Sequence, residues 1–256
     1  MRLRTLLMTV FTAAVAAIGT AGTATAAPDA PPPSTSDTVA PMIVGGGNAT
    51  QTYSFMVSLQ SSTGSHICGG SLITARWVVT AAHCTSSSVR QVRIGSNNRT
   101  SGGQLIGVRR YVDHYSGDIA LIELSSASTL GVVPVASSSG AIGTATRIIG
   151  WGQTCPSPGA CGAPTYLQEL NTSIVSDSLC SGIRAASEIC TNNPNGNSGA
   201  CYGDSGGPQI KSVSGRWQLI GATSRSGGGS VCATAPSIYV DVPYFRSWIS
   251  SYVGPI

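Results

Sequence analysis

The sequence predicts an all-β protein, built as a sandwich or barrel, from residue 43 onward. Short runs rich in Val, Ile and Leu alternate there with clusters of Gly, Ser, Thr and Asn, a spacing typical of antiparallel sheets. The clearest runs are SFMVSLQ, RWVVTAA, RRYVDHY, IALIELS, TATRIIGW and WQLIGATS. One helix is expected near the C-terminus, in VPYFRSWISSYV. Pro243 suits its first turn, and Tyr244, Trp248 and Ile249 would form its apolar side.

Residues 1–26 have the pattern of an export signal. Arg2 and Arg4 precede an apolar stretch, and Ala24-Thr25-Ala26 is a good signal-peptidase site. The alternative is a membrane anchor, but the apolar run is shorter than the roughly 20 residues that a spanning helix needs. We therefore expect a secreted product that is not held in a membrane.

Residues 27–42 (APDAPPPSTSDTVAPM) are rich in Pro, Ser and Asp and have no apolar period. A segment of that composition cannot bury a core. The sequence thus predicts three parts, namely a signal peptide at 1–26, a pro-segment at 27–42 and one protein domain at 43–256.

Charge and cysteine content narrow the function classes. Only 9% of residues are charged, the net charge is +4, and the arginines are scattered without interleaved aromatics, which argues against nucleic-acid binding. The charge-poor, Ser/Gly-rich composition favours a secreted bacterial-type protein. Eight cysteines in an exported chain predict disulfides. Without a CxxC pair, and with three histidines in all, no metal site or cofactor is expected.

A nucleophile motif stands at Gly203-Asp204-Ser205-Gly206-Gly207. It fits both the G-x-S-x-G elbow of α/β-hydrolases and the narrower GDSGG pattern. An elbow serine needs its histidine later in the chain, whereas all three histidines here precede Ser205. A subtilisin-type order needs an Asp before the histidine, and the only aspartates before His83 lie in the pro-segment. The remaining order is His, Asp, Ser.

The candidate base is His83, which follows an apolar strand in WVVTAAHC and neighbours a cysteine that can hold its turn. His66, close to Cys68, is interpreted as a buried structural donor, and His114 as a loop residue. The acid should be buried so that it can fix the imidazole tautomer. Asp118 opens the apolar run IALIEL and is favoured over Asp113, although a strand-edge Asp could also be a turn cap.

These motifs together resemble the chymotrypsin/trypsin family of serine endopeptidases. They are IVGG at 43–46, TAAHC at 80–84, DIAL at 118–121, GWG at 150–152 and GDSGGP at 203–208, in the family's order and at about its spacing. The resemblance covers residues 43–256. It implies two six-stranded antiparallel β-barrels with the active site in the cleft between them and a C-terminal helix.

The resemblance also implies roles for individual residues. His83 would be the general base, Asp118 its orienting partner and Ser205 the nucleophile of an acyl-enzyme mechanism. The backbone N–H groups of Gly203 and Ser205 would form the oxyanion hole. Removing such a donor typically costs about 10²–10³-fold in turnover.

PMIVGG at residues 41–46 then reads as a latent N-terminus. In the family, the carboxylate next to the nucleophile, here Asp204, pairs with the ammonium that activation releases, here that of Ile43. The chain would be a zymogen cut after Met42. Since Met42 is neither Lys nor Arg, self-activation by a tryptic activity is not expected.

The family pattern implies three disulfides, Cys68–Cys84, Cys180–Cys190 and Cys201–Cys232. A local Cys155–Cys161 bridge is the simplest assignment for the remaining pair, although eight cysteines allow 105 connectivities from sequence alone.

The expected specificity pocket has no carboxylate. Gly199 stands six residues before the nucleophile, where trypsin-like enzymes have an Asp. Ser226 and Ser237 add atoms where glycines would leave the pocket open, so we expect cleavage after small or medium uncharged residues such as Ala, Val or Leu. The substrate-pocket candidates are Gly199, Ala200, Tyr202, Ser224, Arg225, Ser226 and Ser237. Arg225 either attracts an acidic substrate side chain or is an exposed loop arginine.

Two other functions are compatible with this pattern. One is a binding protein that has lost catalysis, which an intact set of triad residues disfavours. The other is an esterase, since the same acyl-enzyme chemistry cleaves esters. The expected partners are polypeptide substrates, a protease that cuts after Met42 and protein protease inhibitors. The chain itself is expected to be a monomer.

Overall fold

A computed structural model describes residues 43–256 of the chain. The expected signal peptide at 1–26 and pro-segment at 27–42 lie outside the described residues. The strands are, in chain order, β1 (Gly47–Asn48), β2 (Met56–Gln60), β3 (His66–Thr74), β4 (Trp77–Thr80), β5 (Gln91–Ile94), β6 (Gln104–Asp113), β7 (Ala120–Leu124), β8 (Ala145–Gly150), β9 (Gln168–Ser173), β10 (Glu188–Thr191), β11 (Pro208–Val213), β12 (Arg216–Ser226) and β13 (Ser237–Asp241).

The first half is a closed six-stranded antiparallel barrel, as expected. Its strand order is β2-β3-β4-β7-β6-β5, and β5 pairs back onto β2 to close it. Strands β2, β4 and β7 are buried along their whole length. Closure leaves the barrel without an open edge, so its backbone hydrogen bonds are satisfied internally.

The second half differs from the expected six-stranded barrel. It is a seven-stranded sheet of order β1-β9-β8-β11-β12-β13-β10. The seventh strand is the two-residue β1, which pairs with β9 through Gly47–Glu169 and Asn48–Gln168.

The ends of β9 and β10 meet at a single bridge, between Ile174 and Thr191. The Val175 N–H donates to the Cys190 carbonyl, and the Asn192 N–H donates to the Ser173 carbonyl, both at 2.9 Å. The sheet therefore curls almost into a barrel but closes through a short contact and not through a full strand pair.

The C-terminal region is a 3₁₀ turn, Val242–Phe245, followed by helix α1, Arg246–Val253. Pro243 lies in the turn, and Ile249 is fully buried, as the sequence predicts. The prediction was wrong for Tyr244, whose side chain is 60% exposed. Tyr244 lies in the 3₁₀ turn and not in the α-helix, so α-helical spacing does not place it on the buried side, and its N–H donates to the Asp241 carboxylate at 3.4 Å.

Four disulfides cross-link the described residues, and all eight cysteines are used. The pairs are Cys68–Cys84, Cys155–Cys161, Cys180–Cys190 and Cys201–Cys232. Cys201–Cys232 joins the segment before the candidate nucleophile to the segment before β13. Within residues 43–256, every helix is too short or too polar to cross a bilayer.

Candidate active site

His83 and Asp118 are in direct contact. His83 lies on a 3₁₀ turn, Ala82–Cys84, that follows β4 directly, and the buried Cys84 bonds this turn to β3. His83 Nδ1 lies 2.9 Å from Asp118 Oδ2, and the His83 backbone N–H donates to Asp118 Oδ1 at 3.1 Å. Because a carboxylate accepts hydrogen bonds, it favours the tautomer with a proton on Nδ1, which leaves Nε2 as an acceptor.

A second donor holds the other side of Asp118. The Ser224 hydroxyl on β12 donates to Asp118 Oδ2 at 2.6 Å. Burial alone would raise the pKa of the Asp118 carboxyl, but hydrogen bonds from His83 and Ser224 together hold this pKa below its ordinary value. Asp118 therefore stays ionised and keeps the imidazole oriented.

Arg225 is exposed, as one of the two expectations had it, but it lies on strand β12 and not in a loop. Its guanidinium forms a two-pronged ion pair with Glu188, with both N–O distances 2.8 Å, and also donates to the Gly182 carbonyl at 2.8 Å. The Glu188 side chain is 3% exposed and that of Arg225 is 38% exposed. The charge of Arg225 is thus already paired within the protein. The guanidinium also donates to the Ser224 hydroxyl at 3.2 Å.

Ser205 lies in the turn that precedes β11, and its carbonyl accepts a hydrogen bond from the Gly69 N–H of the first barrel at 2.8 Å. Among the hydrogen bonds of residues 43–256, none uses the N–H of Gly203 or Ser205 as donor. Gly203 has a φ of +98°, a backbone conformation that side chains rarely allow. The N–H of Gly203 and that of the candidate nucleophile, two residues further on, are thus left for a ligand.

His66 is half-buried by accessible surface and contacts this same turn. Its Nε2 lies 3.0 Å from the Gly203 carbonyl oxygen, and its Nδ1 lies 2.8 Å from the Ser58 hydroxyl. Burial lowers the pKa of His66 to about 4, so the ring is neutral near pH 7. The ring also packs edge-on against Trp151. His66 is a structural donor, as interpreted from the sequence, and it fixes the peptide of Gly203.

The other sequence candidates lie away from this pair. His114 packs against Tyr115, Phe245 and Trp248. Asp113 is exposed and accepts a hydrogen bond from the Thr85 hydroxyl at 2.8 Å. It is therefore Asp118, and not Asp113, that contacts His83.

Asp204 is fully enclosed next to the nucleophile. Its carboxylate accepts hydrogen bonds from the N–H of Gly152 at 2.7 Å and from the N–H of Cys201 at 2.9 Å. Burial raises the pKa of Asp204 to about 6. A Cβ on Gly152 would lie 2.2 Å from the carboxylate, so only glycine fits there. Ile43 is also buried, among Ile148, Ile189 and other apolar side chains.

The candidate pocket is a cavity of about 340 Å³ beside Ser205. No acidic residue lines it. Of the predicted pocket residues, all but Gly199 line the cavity; they are Ala200, Tyr202, Ser224, Arg225, Ser226 and Ser237. Gly199 lies just outside, where a Cβ would be 3.6 Å from the Ser237 hydroxyl and 3.7 Å from Ala233.

The two pocket serines differ in placement. Ser237 is buried, at the side of the cavity that faces Gly199. Ser226 is exposed, and its hydroxyl bonds to the backbone of Gly228, at 2.9 Å to the carbonyl and 3.1 Å to the N–H. Ser237 therefore narrows the cavity, while Ser226 braces its own loop.

One group of three possible metal ligands occurs in the described part of the chain, made of Cys68, His83 and Cys84. Its two sulfurs are bonded to each other and cannot act as thiolate ligands.

The closed barrel, the second sheet and the His83–Asp118–Ser224 hydrogen bonds, with Ser224 lining the same cavity as Ser205, have the features of a serine endopeptidase. The chain matches the protein family described as Trypsin over residues 43–249, and it belongs to that family. It is 39% identical over 228 residues to Trypsin delta of Drosophila melanogaster, covering 80% of this chain and 87% of the relative. It is 36% identical over 231 residues to a trypsin of Xenopus laevis, covering 83% and 91%. These relatives are animal proteins, so they give no support to a bacterial-type origin.

Sequence reasoning missed several residues that hold this site. Glu188 carried no signal in a short strand, and the His66–Gly203 contact joins residues 137 positions apart. Ser224 was predicted as a pocket wall but not as a donor to Asp118. The lone Arg225 in an otherwise uncharged wall was the one hint that a buried acid would be needed beside it.

Proposed function

We propose that the chain is a secreted serine endopeptidase, made as a zymogen, that cleaves after small or medium uncharged residues. The observation that carries the catalytic part is the Ser224–Asp118–His83 chain of hydrogen bonds, with Ser224 and Ser205 lining the same cavity. The export pattern at 1–26 supports secretion. Polypeptides would be its substrates, and it would work without a cofactor.

In this proposal, His83 Nε2 takes the proton from the Ser205 hydroxyl as its oxygen attacks the peptide carbonyl. Asp118 stabilises the imidazolium that forms, and Ser224 keeps the carboxylate ionised. The N–H groups of Gly203 and Ser205 then donate to the oxyanion. His83 returns the proton to the leaving amine, and water repeats the sequence on the acyl-enzyme. No hydrogen bond joins Ser205 to His83 within residues 43–256; such bonds are often long before substrate binds.

Activation would proceed by cleavage of the Met42–Ile43 bond. The support is that Asp204 is a buried carboxylate whose hydrogen bonds, among the described residues, come from two backbone N–H groups and no cation. A buried charge of this kind is costly until it is paired. The ammonium of Ile43 would supply that pair and order the turn that carries Gly203 and Ser205.

The names of the relatives and the cavity of this chain favour different substrate side chains. Those relatives are called trypsins, which favours cleavage after Lys or Arg. The lining of the cavity favours an uncharged side chain, because it contains Arg225 and no carboxylate. A cationic substrate side chain buried there without a carboxylate would lose much of its binding energy, so the proposed preference is for an uncharged one.

The experiment digests a diverse peptide mixture with the processed form, residues 43–256, and with Ser205→Ala as the control for contaminating proteases. Cuts after Ala, Val or Leu that are absent with Ser205→Ala would support both parts of the proposal. Cuts after Lys or Arg would contradict the specificity and leave the mechanism standing. Turnover of esters but not of peptides would favour the esterase alternative.

A matched pair of substitutions tests the missing carboxylate directly. Gly199→Asp should gain cleavage after Lys and Arg, whereas Gly199→Asn should not, since the two side chains differ in charge and hardly in size. A Cβ at this position would meet its neighbours at ordinary contact distance, so neither variant is strained at its first side-chain atom, and the Asn variant controls for the size of the rest. An equal gain in both variants would show that charge at this position does not select the substrate.

A further inference from the structure

The side chain of Tyr202 crosses from one wall of the candidate pocket to the other. Its phenol O–H donates to the Ser230 carbonyl at 2.8 Å, although the two residues are 28 positions apart. Both residues line the 340 Å³ cavity. Tyr202 is 49% exposed, so the contact lies at the solvent side of the pocket.

The same two walls are joined a second time, deeper in the protein, by the Cys201–Cys232 disulfide. Cys201 and Cys232 are each 8% exposed. The disulfide is covalent and fixes the inner spacing of the walls, whereas a neutral, half-exposed hydrogen bond can break and re-form. The outer spacing is therefore held by the weaker of the two links.

Only part of the wall that contains Ser230 is free to move. Gly227 is hydrogen-bonded to Pro236 and Ser181, and Gly228 to the Ser226 hydroxyl. In contrast, the backbone of Gly229 and Ser230 makes no hydrogen bond among the described residues except the one from Tyr202, and a Cβ on Gly229 would meet nothing within 4 Å. Because a glycine has more backbone freedom than any other residue, Gly229 lets this short part of the wall change conformation.

The Tyr202 end is firmly held. The Tyr202 carbonyl accepts a hydrogen bond from the Gln153 N–H at 2.7 Å, and the neighbouring Cys201 is disulfide-bonded. The opposite wall is held beyond Ser230 as well, because the Cys232 N–H donates to the Pro156 carbonyl at 2.9 Å. When the phenol contact breaks, Gly229 and Ser230 are thus the residues that move.

We infer that Tyr202 is a specificity-determining residue, whose hydrogen bond to Ser230 straps the pocket mouth and disfavours wide, aromatic substrate side chains. The inference rests on the proposed function, because it concerns the pocket that would hold the residue before the cut bond. Narrow aliphatic side chains pass beneath the closed strap, whereas an aromatic ring requires the strap to open.

The test compares peptide substrates that differ only in Phe or Ala before the cut bond. Tyr202→Phe keeps the ring and removes the strap, and Tyr202→Ala removes both. The Phe-to-Ala ratio of kcat/KM should rise about threefold to tenfold in Tyr202→Phe, the range that one neutral hydrogen bond supports. It should rise further in Tyr202→Ala. Tyr244→Phe, which alters an exposed tyrosine outside the pocket, is the matched control.

Inhibition constants of phenylethyl- and methylboronic acid, which add to the nucleophilic serine, give a second reading that needs no peptide turnover. If the parent enzyme cleaves after Lys or Arg, the proposed specificity fails, but the preference for phenylethyl- over methylboronic acid, taken from the two inhibition constants, still reports on the strap. The inference would be overturned if Tyr202→Phe and Tyr244→Phe had the same aromatic-to-aliphatic ratio, both in kcat/KM and in boronic-acid affinity. A fall in the ratio would also overturn it, because Tyr202 would then be a favourable contact for aromatic groups and not a barrier.

Discussion

The buried carboxyl of Asp204 should make the uncut chain less stable as pH rises, and Asp204→Asn should remove this dependence. Burial raises the pKa of Asp204 from its ordinary value of 3.8 to about 6. Well below pH 4 the carboxyl is protonated in both the folded and the unfolded chain. Between pH 4 and 6 the unfolded chain loses the proton while the folded chain keeps it, so the free energy of unfolding falls.

The size of the effect follows from the pKa. A rise from 3.8 to about 6 corresponds to about 3 kcal/mol, fully expressed above pH 6. The amide that Asp204→Asn introduces cannot ionise but can still accept one of the two backbone hydrogen bonds. Relative to the parent, Asp204→Asn should therefore gain about 3 kcal/mol between pH 4 and pH 7.

The assay is urea unfolding at pH 4 to 8 with the disulfides intact, followed by tryptophan fluorescence. A Ser205→Ala background prevents self-digestion, and Asp113→Asn controls for the loss of an exposed carboxylate. A difference between Asp204→Asn and its parent that does not change with pH would refute the reasoning. In the form cut after Met42, the proposed ion pair should lower the pKa, and stability should instead rise with pH.

Three further predictions concern the support of the site. Arg225→Met leaves the Glu188 carboxylate buried without its cation and should lower the free energy of unfolding by about 3 kcal/mol. Adding Glu188→Gln should recover most of this loss, and no recovery would contradict the ion-pair explanation. Ser224→Ala removes the hydroxyl that donates to the Asp118 carboxylate and, if the proposed mechanism holds, should lower kcat by about tenfold on a peptide substrate. A change confined to KM would point to a pocket role alone. Gly152→Ala should destabilise the protein by at least about 1–3 kcal/mol in thermal or urea unfolding, because its Cβ would overlap the Asp204 carboxylate. Its control, Gly162→Ala, places a Cβ that meets nothing within 4 Å and should be neutral.

The sequence predicted those parts of the fold and site that are written in short contiguous patterns. Each of the six apolar runs overlaps a strand, and the His83–Asp118 contact joins motifs that each span a few residues. Glu188 could not be predicted because its partner Arg225 is 37 residues away. The two face each other only because β10 and β12 flank β13 in the folded sheet.

Strands β3 and β9 were not predicted, and each lacks the usual apolar strand pattern for a physical reason. Strand β3, HICGGSLIT, contains two glycines, which let Gly207 of the nucleophile segment approach closely: a Cβ on Gly69 would lie 2.7 Å from the Gly207 Cα. Strand β9, QELNTS, has a single aliphatic residue and no apolar alternation. Hydrophobic pattern identifies strands that face a core, and β9 lies near one end of its sheet, where one side is only partly covered.

That polar composition has a consequence for solubility. The two residues of β1 pair with only Gln168 and Glu169, so the rest of β9 presents part of its backbone at the rim of the sheet. An apolar strand in this position could pair with the same strand of another molecule and start aggregation. Beyond the reach of β1, the Thr172 hydroxyl donates to the Asn192 carbonyl at 2.8 Å, and the Ser173 carbonyl accepts a hydrogen bond from the Asn192 N–H at 2.9 Å. The polar composition that weakens the sequence signal of β9 therefore also helps the segment after β10 to cover this edge, which leaves less backbone open to a second molecule.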